Sequence, residues 1–257
     1  MSPYVQRPSI RILTPKPLIQ GGFTAPGSAL LQTLAERGAT VIALHPDITS
    51  DLPQTLIPLI QTTTENPNVF AEECDLTSPK SIRAFVTKFI TGKNGTGAYS
   101  DKTRLDGIVF MHEYDHGGTD EGSMATFLIT TLFLPSLLAV PEGRDIRILN
   151  VVNPWYASAI PSFDPALPTS TVYKYAEGTR SLRSVLYARH TQRVLDTLAT
   201  PHVPEGETDM VRKLGSNITC VTACPGYTLS ETVRPWLGVL SYVPSRLEFR
   251  LSLSNVK

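Results

Sequence analysis

Short apolar runs and longer amphipathic runs alternate along nearly the whole chain, and this alternation constrains the fold more than any other feature. Residues 28–37 carry apolar side chains at helical spacing and stop at Gly38, and residues 39–44 then form an apolar run of strand length. The pattern continues with a helix over 79–90, strands over 105–111, 146–152 and 217–223, and helices over 124–140 and 179–198. It predicts an α/β fold built on a parallel sheet.

The chain is expected to form one domain, because its 257 residues can bury a full core and no internal repeat marks a boundary. A polar, proline-bearing stretch at 61–68 leads to a strand-like run that ends at Cys74. Pro15 and Pro17 conflict with a regular first strand in the centre of the sheet, because prolines remove ladder donors. That strand is therefore either limited to residues 18–20 or part of an irregular path.

Composition excludes several classes of partner. The 23 basic and 23 acidic residues give a formal net charge of zero, which offers no electrostatic case for binding nucleic acid or anionic lipid. Cys74, Cys220 and Cys224 show neither a disulfide framework nor paired metal spacing, so buried reduced thiols are expected. The N-terminus lacks the apolar core and cleavage site of a secretory signal, which favours a cytoplasmic location.

An uncharged apolar run at residues 124–140 raises the question of a membrane span. The run lies at the short end of the spanning length range and contains Pro135 and three threonines. A buried or dimer-packing helix is the preferred interpretation, and membrane association is not expected.

A glycine-bearing turn, residues 20–27, lies between the first strand and the first helix. Gly21, Gly22 and Gly27 suit a tight turn whose backbone lets a pyrophosphate approach the helix N-terminus. Pro26 withdraws one backbone donor from that end. The alternative is a strand-to-helix turn that binds no ligand.

Four segments resemble the short-chain dehydrogenase/reductase family over residues 18–230: the glycine turn, Glu73–Ser78 (ECDLTS), residues 105–109 (LDGIV) and residues 175–184 (YAEGTRSLRS). The resemblance implies one doubly wound, Rossmann-type domain over residues 1–257, with a shortened, atypical C-terminal segment at 231–257. It is nearest to divergent, uncharacterised fungal members. The family also implies packing of helices 124–140 and 179–198 in a homodimer.

Tyr175 takes the place of the general acid/base in this family, but Thr179 stands where a lysine normally lowers the pKa of that tyrosine. Only position 179 shares the relevant helix face, because residues four apart lie one above the other. The family's relay asparagine falls near Gly122, and its catalytic serine falls on Asn153. Ser158 and Ser162 lie further along the same loop, and either reaches the site if the loop folds back.

The family's cofactor is NAD(P)(H), and the resemblance assigns its contacts to the following residues: Gly21, Gly22, Gly27, His45, Asp75, Pro225, Gly226 and Ser230. His45 leaves the choice between NAD and NADP open, since an acidic residue would favour NAD and a basic one NADP. Asp75 is equally suited to cap the helix that follows it. The family's Asn-Asn-Ala-Gly after the fourth strand is replaced by residues 110–113 (FMHE).

Residues 112–116 (HEYDH) contain two imidazoles and two carboxylates. A metal would need three or four of them to converge, and a solvated polar turn is the preferred interpretation, so no metal is expected.

Three hypotheses for function follow. The preferred one is a dinucleotide-binding protein of oxidoreductase ancestry with weak or no hydride transfer, because Thr179 cannot replace the lysine charge. The alternatives are an active NAD(P)-dependent ketone or aldehyde reductase (or alcohol dehydrogenase) that uses Tyr175, and a scaffold that keeps only the fold. The substrate is not readable from the sequence.

Overall fold

A parallel sheet forms the centre of the molecule. The computed structural model describes residues 15–92, 105–111, 120–140, 144–162, 173–199 and 216–225. The strands within these ranges are β1 (Pro17–Gln20), β2 (Val41–His45), β3 (Val69–Glu73), β4 (Gly107–Phe110), β5 (Ile146–Val151) and β6 (Ile218–Ala223). They are ordered β3-β2-β1-β4-β5-β6, and every neighbouring pair is parallel. This order confirms the doubly wound, Rossmann-type fold.

Helices cover both faces of the sheet, as predicted. They are α1 (Ala25–Glu36), α2 (Asp51–Thr64), α3 (Pro79–Thr91), α4 (Asp120–Leu138), α5 (Tyr156–Ala159), which continues into a 3₁₀ turn at Ile160–Ser162, and α6 (Tyr173–Ala199). The helices α1 and α2 pack on one face through Leu31, Ile57 and Ile60. The helices α3, α4 and α6 share the core on the other face, where Phe89 and Phe133 meet edge to face at 5.3 Å.

The first strand is short and regular, which is one of the two expected outcomes. Pro17 is the first residue of β1, the position at which a strand tolerates a missing donor. The preceding amide, that of Lys16, donates to the Asp106 carboxylate at 2.8 Å. The carbonyl of Pro15 accepts from the Thr40 amide at 2.9 Å. Side-chain and loop hydrogen bonds thus replace the ladder where the two prolines interrupt it.

The helix α2 was not predicted from the sequence, and residues 61–64 of the polar stretch belong to its last turn. Pro58 lies inside this helix, which disguised the periodicity of the buried residues Pro53, Ile57 and Ile60. These three positions nevertheless follow helical spacing. The hydroxyl of Thr62 donates back to the Pro58 carbonyl at 2.8 Å, so threonine binds inside the helix rather than ending it.

The helix α4 is apolar on two sides. Ile129 and Phe133 are buried, whereas Met124 and Phe127 are 68% and 53% exposed. Within the described ranges, no helix has both the length and the hydrophobicity that a bilayer span requires.

The expectation of buried thiols holds in part. Cys74 is buried, whereas Cys224 is exposed, which corrects the expectation for that residue because it follows the end of β6. Burial raises the pKa of the Cys74 thiol to about 12 and that of Cys220 to about 11.

Candidate functional site

The parallel strands end at one edge of the sheet, and most of the predicted site residues lie there. In strand order this edge carries Asp75, His45, Gly21, Met111, Asn153 and Pro225. Three strand spacings separate Gly21 from Pro225, which is on the order of 14 Å. The carboxyl edge of an open α/β sheet is where such folds bind ligands, and the crevice lies where the strand order reverses, here between β1 and β4.

The glycine turn after β1 has the backbone geometry that a close ligand approach requires. Gly21 has a φ of +79°, and a Cβ there would lie 2.8 Å from the Met111 carbonyl oxygen. At Gly27 a Cβ would lie 2.0 Å from the Gly21 carbonyl oxygen and 2.8 Å from the Gly22 Cα. No side chain fits at either position, so the turn depends on both glycines.

The donors at the N-terminus of α1 are partly used within the turn. Thr24 is the N-cap residue, and its hydroxyl oxygen accepts from the Gly27 amide at 3.2 Å. The same hydroxyl donates to the Gly21 carbonyl at 2.8 Å. Pro26 in the first turn has no amide hydrogen. The turn therefore keeps the shape of a phosphate cradle while two of its first-turn positions offer little or no hydrogen bonding to an anion.

His45 ends β2 beside this turn. Its ring contacts Phe23 edge to face with 4.9 Å between the ring centroids. The Nδ1 atom lies 2.7 Å from the Asp47 carbonyl oxygen and 3.2 Å from the Asp47 amide nitrogen, so it has a partner in either protonation state. Nε2 is then the atom that can meet a ribose hydroxyl or a phosphate. The carboxylate of Asp47 accepts from the hydroxyl and the amide of Thr49, which lower its pKa.

Asp75 follows β3 and has a different local role from the expected helix cap. Its Oδ1 accepts from the amide of Thr77 at 2.9 Å and from the Thr77 hydroxyl at 2.7 Å. Ser78 caps α3 instead, with its hydroxyl accepting from the Ser81 amide at 3.3 Å. The cap prediction for Asp75 is therefore wrong, because the residue one before Pro79 is the N-cap and Asp75 lies three positions earlier.

Asn153 lies two residues after the end of β5 and is buried. Its backbone amide donates to the hydroxyl of Ser181 on α6 at 3.2 Å, and its Oδ1 accepts from the Trp155 amide at 3.0 Å. The side-chain oxygen thus closes a turn. The hydrogen bond from Asn153 to Ser181 also holds the end of β5 against the first half of α6.

The helix α6 carries Tyr175 in its first turn, and the side chain of Tyr175 lies outside the described part of the chain. Three residues on, Gly178 packs so closely that a Cβ would lie 2.7 Å from the Trp155 carbonyl oxygen and 3.3 Å from the Ser158 Oγ. Thr179, the residue after Gly178 on α6, is half-buried.

Several expected site residues lie outside the described part of the chain: Gly226, Ser230, the side chain of Ser162 and the HEYDH cluster at 112–116. Gly122 lies in the first turn of α4, and its carbonyl accepts from the Thr126 hydroxyl at 3.0 Å. Within the described ranges, no group of three metal-binding side chains converges.

Sequence reasoning missed two residues at this edge. Thr24 was not recognised as the cap, although a threonine just before Ala25-Pro26 is a standard signal for a helix start. Ser181 was overlooked because no motif marks a buried serine that holds the next loop; its side chain is fully buried.

Two uncharacterized oxidoreductases are similar to the chain in sequence. No family model matches the chain. It is 22% identical over 236 residues to an uncharacterized oxidoreductase of Saccharomyces cerevisiae, covering 81% of this chain and 54% of that protein. It is 25% identical over 146 residues to an uncharacterized oxidoreductase of Schizosaccharomyces pombe, covering 51% of this chain and 37% of that protein. The chain thus spans about half or less of the length of these relatives.

Solved structures give the fold. An alcohol dehydrogenase from Comamonas testosteroni, specific for bulky-bulky ketones, matches with a TM-score of 0.55 at 13% identity, covering 82% of this chain and 72% of that one. A short-chain dehydrogenase from Sphingobium yanoikuyae in complex with NADPH matches with a TM-score of 0.55 at 13% identity, covering 82% and 71%. The chain has the fold of the short-chain dehydrogenases/reductases, which confirms the resemblance seen in the sequence.

Proposed function

We propose that this chain binds NAD(P)(H) at the carboxyl edge of its sheet and transfers hydride slowly or not at all. The observation that carries the binding half is the glycine turn. Its backbone lies so close to Met111 at Gly21, and to Gly21 at Gly27, that no side chain fits at either position. A bare backbone cradle at a helix N-terminus beside the switch in strand order suits a pyrophosphate. The NADPH bound by the similar Sphingobium protein supports this choice of ligand.

The residues of the edge divide between the parts of the cofactor. The turn with Gly21, Gly22 and Gly27 would hold the pyrophosphate, and His45 with Asp75 would meet the adenosine half. The family resemblance assigns the nicotinamide end to Asn153 and to Pro225, Gly226 and Ser230 beyond β6. When bound, the cofactor supplies the hydride. The form of the cofactor stays open, because the imidazole of His45 suits a ribose hydroxyl when neutral and a 2′-phosphate when protonated.

The chemistry is proposed to be weak because the residue one helical turn after Tyr175 on α6 is uncharged. Thr179 occupies that place and has no charge. With the ordinary tyrosine pKa of about 10, roughly one phenol in a thousand is ionised at pH 7. Positioned acid–base groups typically contribute two to four powers of ten in rate. We expect a loss of rate of that size in this chain. Asn153 stands where the resemblance places the catalytic serine, and its side chain has no hydroxyl.

Turnover tests the proposal. The full chain is mixed with NADPH or NADH and a panel of ketones and aldehydes, and the loss of reduced nicotinamide is followed by absorbance. We expect slow turnover or none, and any activity should vanish in Tyr175→Phe. Thr179→Lys is expected to raise the rate, since it restores a cation one helical turn after Tyr175 at a half-buried position. Fast turnover by the unmodified protein, abolished in Tyr175→Phe, would contradict the proposal and establish an active reductase.

A scaffold that keeps only the fold is the second candidate, and one observation favours it. The Thr24 hydroxyl accepts a hydrogen bond from the Gly27 amide at 3.2 Å, and Pro26 has no amide hydrogen. The start of α1 therefore offers few donors to an anion. Such a protein would show no saturable binding of either nucleotide. The cradle geometry at Gly21 and Gly27 favours the binding protein over the scaffold.

The homodimer expected from the sequence remains part of the proposal, as does the cytoplasmic location. Exposed apolar side chains on α4 and α6 support the dimer: Phe127 and Leu138 on α4, and Leu186, Val194 and Leu198 on α6. Phe127 and Tyr187 join the two helices, with 6.2 Å between their ring centroids. Light scattering at micromolar concentration should report a dimer that Val194→Lys together with Leu198→Lys dissociates. A monomer throughout would contradict it.

A further inference from the structure

The imidazole of His45 at the end of β2 is held as a hydrogen-bond acceptor. Its Nδ1 atom lies 2.7 Å from the Asp47 carbonyl oxygen and 3.2 Å from the Asp47 amide nitrogen. A carbonyl oxygen only accepts, so the shorter contact assigns a proton to Nδ1. In the neutral imidazole, Nε2 then has a lone pair and no proton. It can accept from the O–H of a ribose hydroxyl, and it repels a phosphate oxygen.

The charged side chains next to His45 are acidic. Glu73 is the register partner of His45 on β3, and register partners in neighbouring parallel strands project from the same face of the sheet. Glu73 and Asp47 are both exposed, and neither takes part in the ion pairs of the described residues. The hydroxyl and the amide of Thr49 lower the pKa of the Asp47 carboxyl, so this group is ionised at neutral pH. Two carboxylates therefore lie beside the imidazole.

No lysine or arginine stands in the loops at this part of the sheet edge. One described segment follows each of β1, β2 and β3: residues 20–28, 45–51 and 73–78. His45 is the only basic residue in these segments. Lys80 and Arg83 follow on α3, but that helix packs on one face of the sheet, whereas His45 contacts Phe23 on the other. A 2′-phosphate, with a charge of about −1.5 to −2 at pH 7, would meet carboxylates here and no fixed cation.

We propose that this chain selects NAD(H) over NADP(H): Nε2 of His45 accepts from the 2′-hydroxyl of the adenosine ribose, and Glu73 and Asp47 repel the 2′-phosphate of NADP(H). The inference rests on the proposed function, because it assigns the form of the same cofactor. In dinucleotide-binding folds an acceptor for the 2′-hydroxyl favours NAD, whereas a nearby arginine accommodates the 2′-phosphate of NADP. In this chain the imidazole supplies the acceptor, and the two carboxylates supply the negative charge.

The test is a titration of the full chain with NADH and with NADPH at pH 8, where histidine side chains are generally neutral, followed by nucleotide fluorescence. NADH should bind about tenfold more tightly than NADPH or better, because the 2′-phosphate replaces a hydrogen bond with repulsion between charges. The carboxylates are exposed, so salt should screen this repulsion. Raising the salt concentration from about 0.05 to 0.5 M should bring the two dissociation constants closer together.

Two variants separate the acceptor from the charge. His45→Arg should tighten NADPH binding by about tenfold or more, since an arginine forms charge-assisted hydrogen bonds with a phosphate. Asn68→Arg is the matched control, because it adds the same charge at an exposed position before β3, at the opposite edge of the sheet, and it should change neither affinity. Glu73→Gln should tighten NADPH binding by about two- to fivefold, whereas Glu36→Gln, exposed at the end of α1, should not.

The outcomes separate this inference from the proposed function. Saturable binding in which NADPH equals or exceeds NADH in affinity would overturn the selection of NAD(H) and leave the proposed function in place. An equal gain in His45→Arg and Asn68→Arg would also overturn it, since the 2′ position would then not lie at His45. So would a difference between the two nucleotides that widens with salt. Saturable binding of neither nucleotide would overturn both proposals.

Discussion

Restoring the missing amide at the start of α1 should strengthen nucleotide binding. Pro26 lies in the first turn of this helix, where an ordinary residue would present an N–H without an intrahelical partner. The Thr24 hydroxyl binds the amide of Gly27, so a new amide at position 26 would remain available to a phosphate. A hydrogen bond to a charged group contributes about 1.5 kcal/mol or more, which is about tenfold in affinity.

Pro26→Ala is therefore expected to tighten the binding of NADPH and NADH by about tenfold, because both carry the same pyrophosphate. Loss of the proline should lower the free energy of unfolding by about 0.4 to 1 kcal/mol through the unfolded state. Nucleotide fluorescence titration gives the first quantity and urea denaturation the second. Pro79→Ala, at the first turn of α3, is the matched control and should leave affinity unchanged. An unchanged dissociation constant in Pro26→Ala, or an equal gain in Pro79→Ala, would refute the placement of the pyrophosphate at α1.

Three further results are expected. Asn66→Ala should lower the free energy of unfolding by about 2 kcal/mol and the Tm by about 4–8 °C, because its Nδ2 donates at 2.9 Å to two carbonyls near the end of α1. Glu65→Gly should raise stability by up to about 1 kcal/mol, since Glu65 has a φ of +52° at the end of α2. A thiol reagent at pH 8 should modify Cys224 well before Cys74, whose pKa is raised to about 12 by burial.

The Cys74 thiol should make the stability of the fold depend on pH. The pKa of Cys74 is higher in the folded chain, at about 12, than its ordinary value of 9.0, so the folded state binds more protons between these values. Stability is then fully present below pH 9 and falls as pH rises towards 12. On raising the pH from 8 to 10, the urea midpoint of unfolding should fall less in Cys74→Ala than in the parent protein. An equal fall in both proteins would show that other groups cause it.

The sequence predicted most of the sheet because each strand is short, apolar and followed by a turn residue or a helix start. Prediction failed where the local signal was broken. Pro58 lies within α2, yet packing of Ile57 and Ile60 on the sheet stabilises the helix around it. A single-sequence pattern cannot weigh that tertiary gain against the cost of a proline.

The candidate site was predictable only as far as its motifs. Gly21 and Gly27 stand where the turn requires them, because only glycine fits these close backbone contacts. The use of the Gly27 amide by Thr24, and the turn that Asn153 closes with Trp155, depend on side-chain directions that no spacing rule contains. The helix cap considered for Asp75 was wrong for the same reason, since an aspartate before a helix can bind either the helix or its own loop.

Titration of the unmodified chain with NADPH and NADH, followed by nucleotide fluorescence, tests the central claim most directly. The account predicts saturable binding of at least one of the two nucleotides with one site per chain, lost in Gly27→Val because a Cβ at Gly27 would lie 2.0 Å from the Gly21 carbonyl oxygen. Gly38→Ala is the matched control, since no atom lies within 4 Å of a Cβ at this position. Alanine at a φ of +78° should lower the free energy of unfolding but leave nucleotide binding unchanged. A titration without saturation for either nucleotide would contradict the account and leave the scaffold as the function of this fold.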